Sequence, residues 1–253
     1  MPIKDKTILV TGSTRGIGLE IALTFARDKA RVIVHGPAED DELHHAWEHV
    51  QAAGSDAVMI PCDLADSAAV RRMFAQIEKQ STGLDVLVNN AVFQKKAGFL
   101  QIQEQEWDHA LAVNLKAPFL CSQLAAEMMI RRGGGRIINI GSVHEMHCRR
   151  FYAPYSISKS GLLMLTKSMA LELAEYNIQV NQVTPGAIAT DLTGPQRQEK
   201  LLSAIPLGRV GTKQEVASMV RYLASDEAGY ITGSVFVVDG GLTLGFCASR
   251  PDL

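Results

Sequence analysis

The sequence predicts a single α/β domain built on a doubly wound parallel sheet, and two observations lead to this expectation. Short runs rich in Val and Ile alternate with longer stretches of helical spacing along the whole chain. Strands joined by helix-length connections run parallel, and a parallel sheet is covered by helices on both faces. No segment has the composition of a linker, so residues 1–253 are expected to form one domain.

Seven apolar runs have the length and composition of buried strands. They are Thr7 to Thr11, Arg31 to His35, Ala57 to Pro61, Asp85 to Asn89, Arg136 to Ile140, Gln179 to Thr184 and Val235 to Asp239. Helical spacing is found in Ile17 to Asp28, Asp41 to Ala53, Ser67 to Gln80, Glu104 to Arg131, Ala153 to Tyr176 and Lys213 to Ser225. We therefore expect about seven strands, with ligands bound at their carboxyl ends.

The charge balance excludes one broad class of partner. The chain has 25 Lys and Arg against 27 Asp and Glu, a formal net charge of -2. Nucleic acids and anionic membranes attract proteins with excess positive charge, so neither is an expected partner. No run approaches the ~20 apolar residues of a membrane span, and charges interrupt the apolar stretch that a secretory signal would need near the N-terminus. We expect a cytoplasmic protein.

No metal centre is expected either. The four cysteines, Cys62, Cys121, Cys148 and Cys247, lack the paired spacing of a zinc site or a disulfide framework. His45 and His49 have the four-residue spacing that can bind zinc, and acidic residues such as Glu48 lie nearby, but none is a clear third ligand and this helix should face solvent. The cysteines are interpreted as reduced packing or surface residues, and the histidines as part of a solvated helix face.

A glycine-rich turn follows the first predicted strand. Thr11-Gly12-Ser13-Thr14-Arg15-Gly16-Ile17-Gly18 connects that strand to a helix. Gly12 allows a tight turn, Gly16 lets the backbone approach a pyrophosphate, and Gly18 lets helix and strand pack closely. The helix N-terminus faces the anion. This context predicts a Rossmann-type dinucleotide site.

The spacing T-G-x-x-x-G-x-G resembles the short-chain dehydrogenase/reductase family, and later motifs extend the resemblance over nearly the whole chain. Asn89-Asn90-Ala91-Val92 is similar to the family's N-N-A-G, with Val92 as a departure. The family's Asn, Ser, Y-x-x-x-K and late cofactor-loop positions are matched by Asn114, Ser142, Tyr155 with Lys159, and Pro185-Gly186 with Thr190. The resemblance implies an oxidoreductase that transfers a hydride between NAD(P) and a hydroxyl or carbonyl group.

Tyr155 and Lys159 lie four residues apart on a predicted helix and so share one face. A nearby ammonium group stabilises a phenolate, which leads to the hypothesis that Tyr155 is the general acid/base. Ser142 would hydrogen-bond the reacting oxygen. The resemblance gives Asn114 the role of holding a water that links Lys159 to solvent, and gives Lys159 a contact with the nicotinamide ribose.

The expected cofactor contacts come from the glycine turn and from strand ends. They are Gly12, Arg15, Gly16, Ile17, Gly18, Asp63, Leu64, Asn90, Tyr155, Lys159, Pro185, Gly186, Ile188 and Thr190. The second strand ends in His35-Gly36-Pro37, without the acid that an NAD site carries there or the base of an NADP site. Arg15 favours a slight preference for NADP, which the acidic residues after Pro37 oppose.

The substrate prediction depends on fewer residues. Ser142-Val143-His144-Glu145, Ile205-Pro206-Leu207-Gly208 and the Gly240 to Leu244 segment look like the glucose dehydrogenase branch of the family. This implies a sugar or polyol, with Gln94, His144 and Glu145 near it. The alternative without a functional role is that His144 and Glu145 are surface loop residues. The functional alternatives are a 3-oxoacyl thioester reductase of the acyl-carrier-protein type and a dinucleotide-binding protein without turnover.

The long helices Glu104 to Arg131 and Ala153 to Tyr176 carry more apolar residues than a one-sided surface helix needs, among them Met129, Leu162 and Leu165. Part of this apolar surface is expected to be buried between subunits. Similar enzymes are usually homotetramers, so the resemblance implies a homotetramer.

Overall fold

A computed structural model describes residues 3–190 and 202–245. These residues form a single Rossmann-like domain around a seven-stranded parallel sheet in the order β3-β2-β1-β4-β5-β6-β7. The strands are β1 (Thr7–Val10), β2 (Arg31–Gly36), β3 (Val58–Pro61), β4 (Val86–Asn89), β5 (Gly135–Ile140), β6 (Ile178–Pro185) and β7 (Val235–Val238). The predicted fold class is confirmed, and each strand lies within two residues of its predicted bounds.

Seven α-helices connect the described strands and cover both faces of the sheet. They are α1 (Gly16–Arg27), α2 (Asp41–Ala52), α3 (Ser67–Gln80), α4 (Glu104–Leu111), α5 (Ala117–Arg131), α6 (Ala153–Leu173) and α7 (Lys213–Ala224). Buried side chains of α1, α2 and α7 pack on one face, and those of α3, α5 and α6 on the other. The sheet therefore lies between two apolar layers.

Each central strand contributes to both layers, which explains its continuous apolar sequence. Ile8 packs on the α1 side of the sheet, whereas its neighbour Leu9 packs on the α3 side. Val86 and Leu87 divide in the same way. Because successive side chains point to opposite faces, a strand buried on both sides has no polar alternation.

The order of the strands places a switch point between β1 and β4. From β1 the chain winds outward through β2 and β3, then returns to add β4 on the other side of β1. Connections from these two neighbours leave in opposite directions, which opens a crevice at their carboxyl ends. Ligand binding is expected at this edge.

The predicted helix from Glu104 to Arg131 is interrupted in the structure. Residues Ala112–Lys116 form a π-helical turn between α4 and α5, with Asn114 at its centre. A π-turn inserts an extra residue but keeps the apolar face nearly continuous, so the spacing could not reveal it. Such turns are frequent at functional sites.

The apolar surface of the long helices differs from the prediction. Met129 and Leu162 are fully buried in the chain's own core, so they are not part of the apolar surface that a partner subunit could cover. Phe119, Met164 and Leu171 are among the exposed apolar side chains of these helices, at 46%, 61% and 84% of their full area. Within the described residues, no helix has both the length and the apolar content needed to span a membrane.

Candidate active site

The glycine turn between β1 and α1 has the shape of a phosphate cradle. Gly12 and Gly16 have φ angles of 62° and 61°, a region that side chains disfavour. A Cβ at Gly18 would lie 2.2 Å from the Gly12 carbonyl oxygen, so only glycine fits there. No side chain of the described residues caps the N-terminus of α1. Its free N–H groups and its dipole suit a pyrophosphate.

Asn90 joins this turn to the end of β4. Its side-chain amide donates to the carbonyl oxygens of Thr11 and Gly12, both at 2.9 Å. In return, the Thr11 hydroxyl accepts from the backbone N–H groups of Asn90 and Ala91 at 3.0 and 3.1 Å. Asn90 thus holds the turn from the neighbouring strand, a role compatible with its predicted place in the cofactor site.

His35 at the end of β2 supports the same turn, a role that the sequence did not reveal. The Gly12 N–H donates to His35 Nδ1 at 3.0 Å, and His35 Nε2 lies 3.1 Å from the Cys62 carbonyl oxygen. Burial lowers the pKa of His35 to about 4, so the ring is neutral at physiological pH. With Nδ1 accepting, the proton stays on Nε2 and the imidazole connects the turn to the end of β3.

The remaining predicted cofactor residues lie at the carboxyl ends of β3 and β6. Leu64 is buried, and Asp63 accepts from the Ala65 N–H at 2.9 Å. Pro185 ends β6, and a Cβ at Gly186 would lie 2.5 Å from Asp239 Cβ, so this segment packs closely on the end of β7. Ile188 is buried, and Thr190 is the last residue described before position 202. The topology therefore brings these residues to one edge of the sheet.

Ser142, Tyr155 and Lys159 meet beside the end of β5. The Ser142 side chain lies beside the Tyr155 phenol and lowers its pKa. The buried Lys159 ammonium donates to the carbonyl oxygen of Ile140, the last residue of β5, at 2.6 Å, and lies 5.9 Å from the Tyr155 ring centre. Helix α6 begins at Ala153, so Tyr155 is in its first turn and Lys159 one turn later.

Burial moves both protonation equilibria toward the neutral forms. It raises the pKa of the Tyr155 phenol, and the neighbouring Ser142 hydroxyl partly offsets this effect. It lowers the pKa of Lys159 to about 8, against an opposing effect of Glu145. The phenol is therefore protonated near neutral pH in this state, and a depressed lysine pKa brings proton exchange into the physiological range.

Asn114 is fully buried and its side-chain amide is engaged with protein groups. Its oxygen accepts from the Phe93 N–H at 2.7 Å, and its nitrogen donates to the Phe93 carbonyl at 2.8 Å and to Ser158 Oγ at 3.1 Å. The amide therefore fixes the loop after β4 against helix α6. A water held near Lys159 stays a prediction.

His144 and Gln94 lie on the two loops that border Tyr155. The rings of His144 and Tyr155 are 6.3 Å apart and nearly perpendicular, and His144 Nδ1 lies 3.1 Å from the His147 carbonyl oxygen. Gln94 is exposed in the loop after β4, between two residues that line a small cleft with Tyr155. The loops themselves are joined by a 3.0 Å hydrogen bond from the Ala97 N–H to the Phe151 carbonyl.

The position of Glu145 differs from its prediction as a substrate contact. Its carboxylate is buried and accepts from the Ser142 N–H at 3.1 Å, from Gln182 Nε2 at 2.7 Å and from Thr184 Oγ1 at 2.8 Å. Both oxygens are thus used inside the protein, so Glu145 is neither a substrate contact nor a surface residue. Burial raises its pKa, against the hydrogen bonds and the charge of Lys159. It holds the segment that carries Ser142.

Comparison with known proteins decides the family. A family model described as enoyl-(acyl carrier protein) reductase matches residues 12–243. The 3-oxoacyl-(acyl-carrier-protein) reductase FabG of Staphylococcus aureus is 40% identical over 240 residues, which cover 94% of this chain and 98% of FabG. The chain belongs to the short-chain dehydrogenase/reductase family. It is therefore an oxidoreductase that uses NAD(P), and its glycine turn and helix N-terminus fit that cofactor.

Solved structures of this family superimpose closely. A short-chain type dehydrogenase/reductase from Mycobacterium marinum has a TM-score of 0.90 at 34% identity, covering 96% of this chain and 97% of the other. A gluconate 5-dehydrogenase from Burkholderia cenocepacia, in complex with NADP and tartrate, has a TM-score of 0.88 at 32% identity, with coverage of 96% and 98%. FabG is a 3-oxoacyl-(acyl-carrier-protein) reductase and the Burkholderia enzyme is a gluconate 5-dehydrogenase, so the family resemblance is confirmed but the glucose dehydrogenase branch is not.

Replacing the phenol hydroxyl tests the predicted role of Tyr155. Tyr155→Phe should lose about 10²- to 10⁴-fold in turnover, because the proton donor to the reacting oxygen is gone. Its dissociation constant for NAD(P)H, measured by fluorescence titration, should stay unchanged. Tyr152→Phe is the matched control, since Tyr152 precedes α6 and stacks on Arg149. Turnover of Tyr155→Phe equal to that of Tyr152→Phe would refute this role.

The buried charge of Glu145 predicts a pH effect. Glu145 raises the pKa of both Lys159 and Tyr155, so Glu145→Gln should lower both. Carbonyl reduction needs these groups protonated, and its rate should therefore begin to decline at a lower pH than in the unmodified enzyme. Glutamine can still accept from the Ser142 N–H and donate to Thr184. Measurement of kcat/KM against pH tests this.

The exposed Glu175→Gln change removes the same charge far from the site and should leave that profile in place. An unchanged alkaline limb in a folded Glu145→Gln enzyme would contradict the proposed electrostatic coupling.

Proposed function

We propose that this enzyme interconverts a secondary alcohol and a ketone, or a hemiacetal hydroxyl and a lactone, on a sugar or polyol. The observation that carries the proposal is His144, whose ring lies beside Tyr155 on the loop that also holds Ser142. Gln94 on the opposite loop adds a second polar side chain. Substrate hydroxyls lose water on binding and need such partners.

Each side chain of the site has a separate role in the proposed reaction. The Ser142 hydroxyl, placed by its backbone contact with Glu145, hydrogen-bonds the reacting oxygen. Tyr155 gives its proton to that oxygen during reduction and removes it during oxidation. Lys159 contributes positive charge that stabilises the phenolate. When bound, the nicotinamide supplies or accepts the hydride.

A 3-oxoacyl thioester reductase is the second candidate, because FabG is 40% identical to this chain over almost the full length of both proteins. The same Ser142, Tyr155 and Lys159 arrangement would reduce a 3-oxo group. The two candidates differ in the remote part of the substrate, which is polyhydroxylated in one case and an acyl thioester in the other. A dinucleotide-binding protein without turnover is the third, and it has no physical need for this arrangement.

A substrate screen separates these candidates. Sugars, sugar acids, polyols and acetoacetyl thioesters should be tested with NAD(H) and NADP(H), following absorbance of the reduced nicotinamide. We expect turnover of a polyhydroxylated compound, abolished in Tyr155→Phe. Rapid thioester reduction with no sugar or polyol turnover would overturn the proposal in favour of the second candidate. No turnover of any compound, with intact cofactor binding, would favour the third.

We also propose a homotetramer in which the groove between α4, the π-turn, α5 and α6 is covered by another subunit. This groove is lined mainly by apolar residues, including Leu111, Leu115, Phe119 and Leu165. Apolar surface of this kind is stabilised by burial. Light scattering at micromolar concentration should give four times the 27.5 kDa chain mass, and Phe119→Asp should lower it. A monomeric wild-type mass would contradict the assembly.

A further inference from the structure

The end of β2 carries no charged side chain toward the cofactor. In dinucleotide folds this position, about 20 residues after the glycine turn, holds the acid that binds the adenosine ribose, or a base near the 2'-phosphate of NADP. Here His35 is buried and its ring is occupied by Gly12 and Cys62. Gly36 and Pro37 follow without an ionisable group. The ribose must therefore be recognised by residues from elsewhere.

A side chain at Gly36 would require the Thr14 side chain to move. A Cβ there would lie 2.9 Å from Thr14 Cγ2 and 3.5 Å from Leu43 Cβ. Thr14 belongs to the turn, and Leu43 is a fully buried residue of α2. The start of α2 thus occupies the neighbourhood that a longer residue at the end of β2 would fill.

Glu42, in the first turn of α2, places its carboxylate beside the glycine turn. Its Oε1 lies 3.6 Å from Arg15 Nη1, and its Oε2 accepts from the Thr14 hydroxyl at 3.3 Å. Arg15 and Thr14 are both part of the glycine turn. Arg15 is the basic residue on which the expected NADP preference depends, so its partner bears directly on that preference.

We propose that Glu42 is a specificity-determining residue for the cofactor. By holding Arg15 and by opposing a 2'-phosphate, the Glu42 carboxylate lowers affinity for NADP(H) relative to NAD(H). A 2'-phosphate would have to displace the Glu42 carboxylate from Arg15 or stand next to it. The 2'-hydroxyl of NAD instead can donate to a carboxylate. This inference concerns cofactor binding, and it does not depend on the sugar or polyol proposal.

The test is equilibrium binding of each cofactor in the absence of substrate. Glu42→Gln should tighten NADP(H) binding by about 10-fold, because a competing charge near Arg15 is lost, while NAD(H) binding stays equal or weakens. Isothermal titration calorimetry of the full chain gives both dissociation constants. Glu42 is partly exposed and glutamine suits a helix, so the variant should fold.

Glu48→Gln is the matched control, because Glu48 lies on the same helix but pairs with His45, away from the turn. It should leave the ratio of the two dissociation constants unchanged. An equal change in both variants would show a general charge effect and overturn the proposal, as would an unchanged ratio in Glu42→Gln.

The same Glu42 change in an Arg15 variant tests whether Glu42 acts through Arg15. In Arg15→Gln, the gain from Glu42→Gln should be smaller, since there is no arginine left to release. An undiminished gain would overturn the role assigned to the Arg15 pair.

Discussion

The hydrogen bonds between Asn90 and the glycine turn are the constraint on which the rest of the site depends. They tie the carboxyl end of β1 to that of β4 at the point where the sheet reverses its winding direction. The turn holds two glycines in a left-handed conformation, which glycine adopts without strain but which costs conformational entropy to fix. Asn90 supplies partners from one side, and His35 from the other.

From β4 the same rigidity extends to the catalytic residues. The loop after Asn90 is clamped at Phe93 by Asn114, and Asn114 also contacts Ser158 on α6, next to Lys159. On the far side, Glu145 fixes Ser142 through a reciprocal cap and reaches β6 through Gln182 and Thr184. Because several donors fix this buried carboxylate, Ser142 keeps its position, although the charge of Glu145 opposes ionisation of the Tyr155 phenol.

Local spacing explains what could be predicted from the sequence. Tyr155 and Lys159 are one turn apart on a helix, and the glycine turn is a contiguous motif, so both were visible without a structure. His35, Glu42 and Glu145 act through contacts with residues distant in the chain, such as Gly12, Arg15 and Thr184. Their functions depend on which strand ends are neighbours, which no local pattern contains. The π-turn was hidden because helical spacing nearly continues across it.

The hydrogen bond between Ala97 and Phe151 also has a consequence for substrate entry. It fastens the loop after β4 to the loop after β5, and Phe151 has a φ of 72° there, a conformation that costs energy outside glycine. A motion that lifts one loop from Tyr155 must break this bond or carry the other loop along. As long as this bond holds, the two loops move together, and access to the phenol depends on both of them.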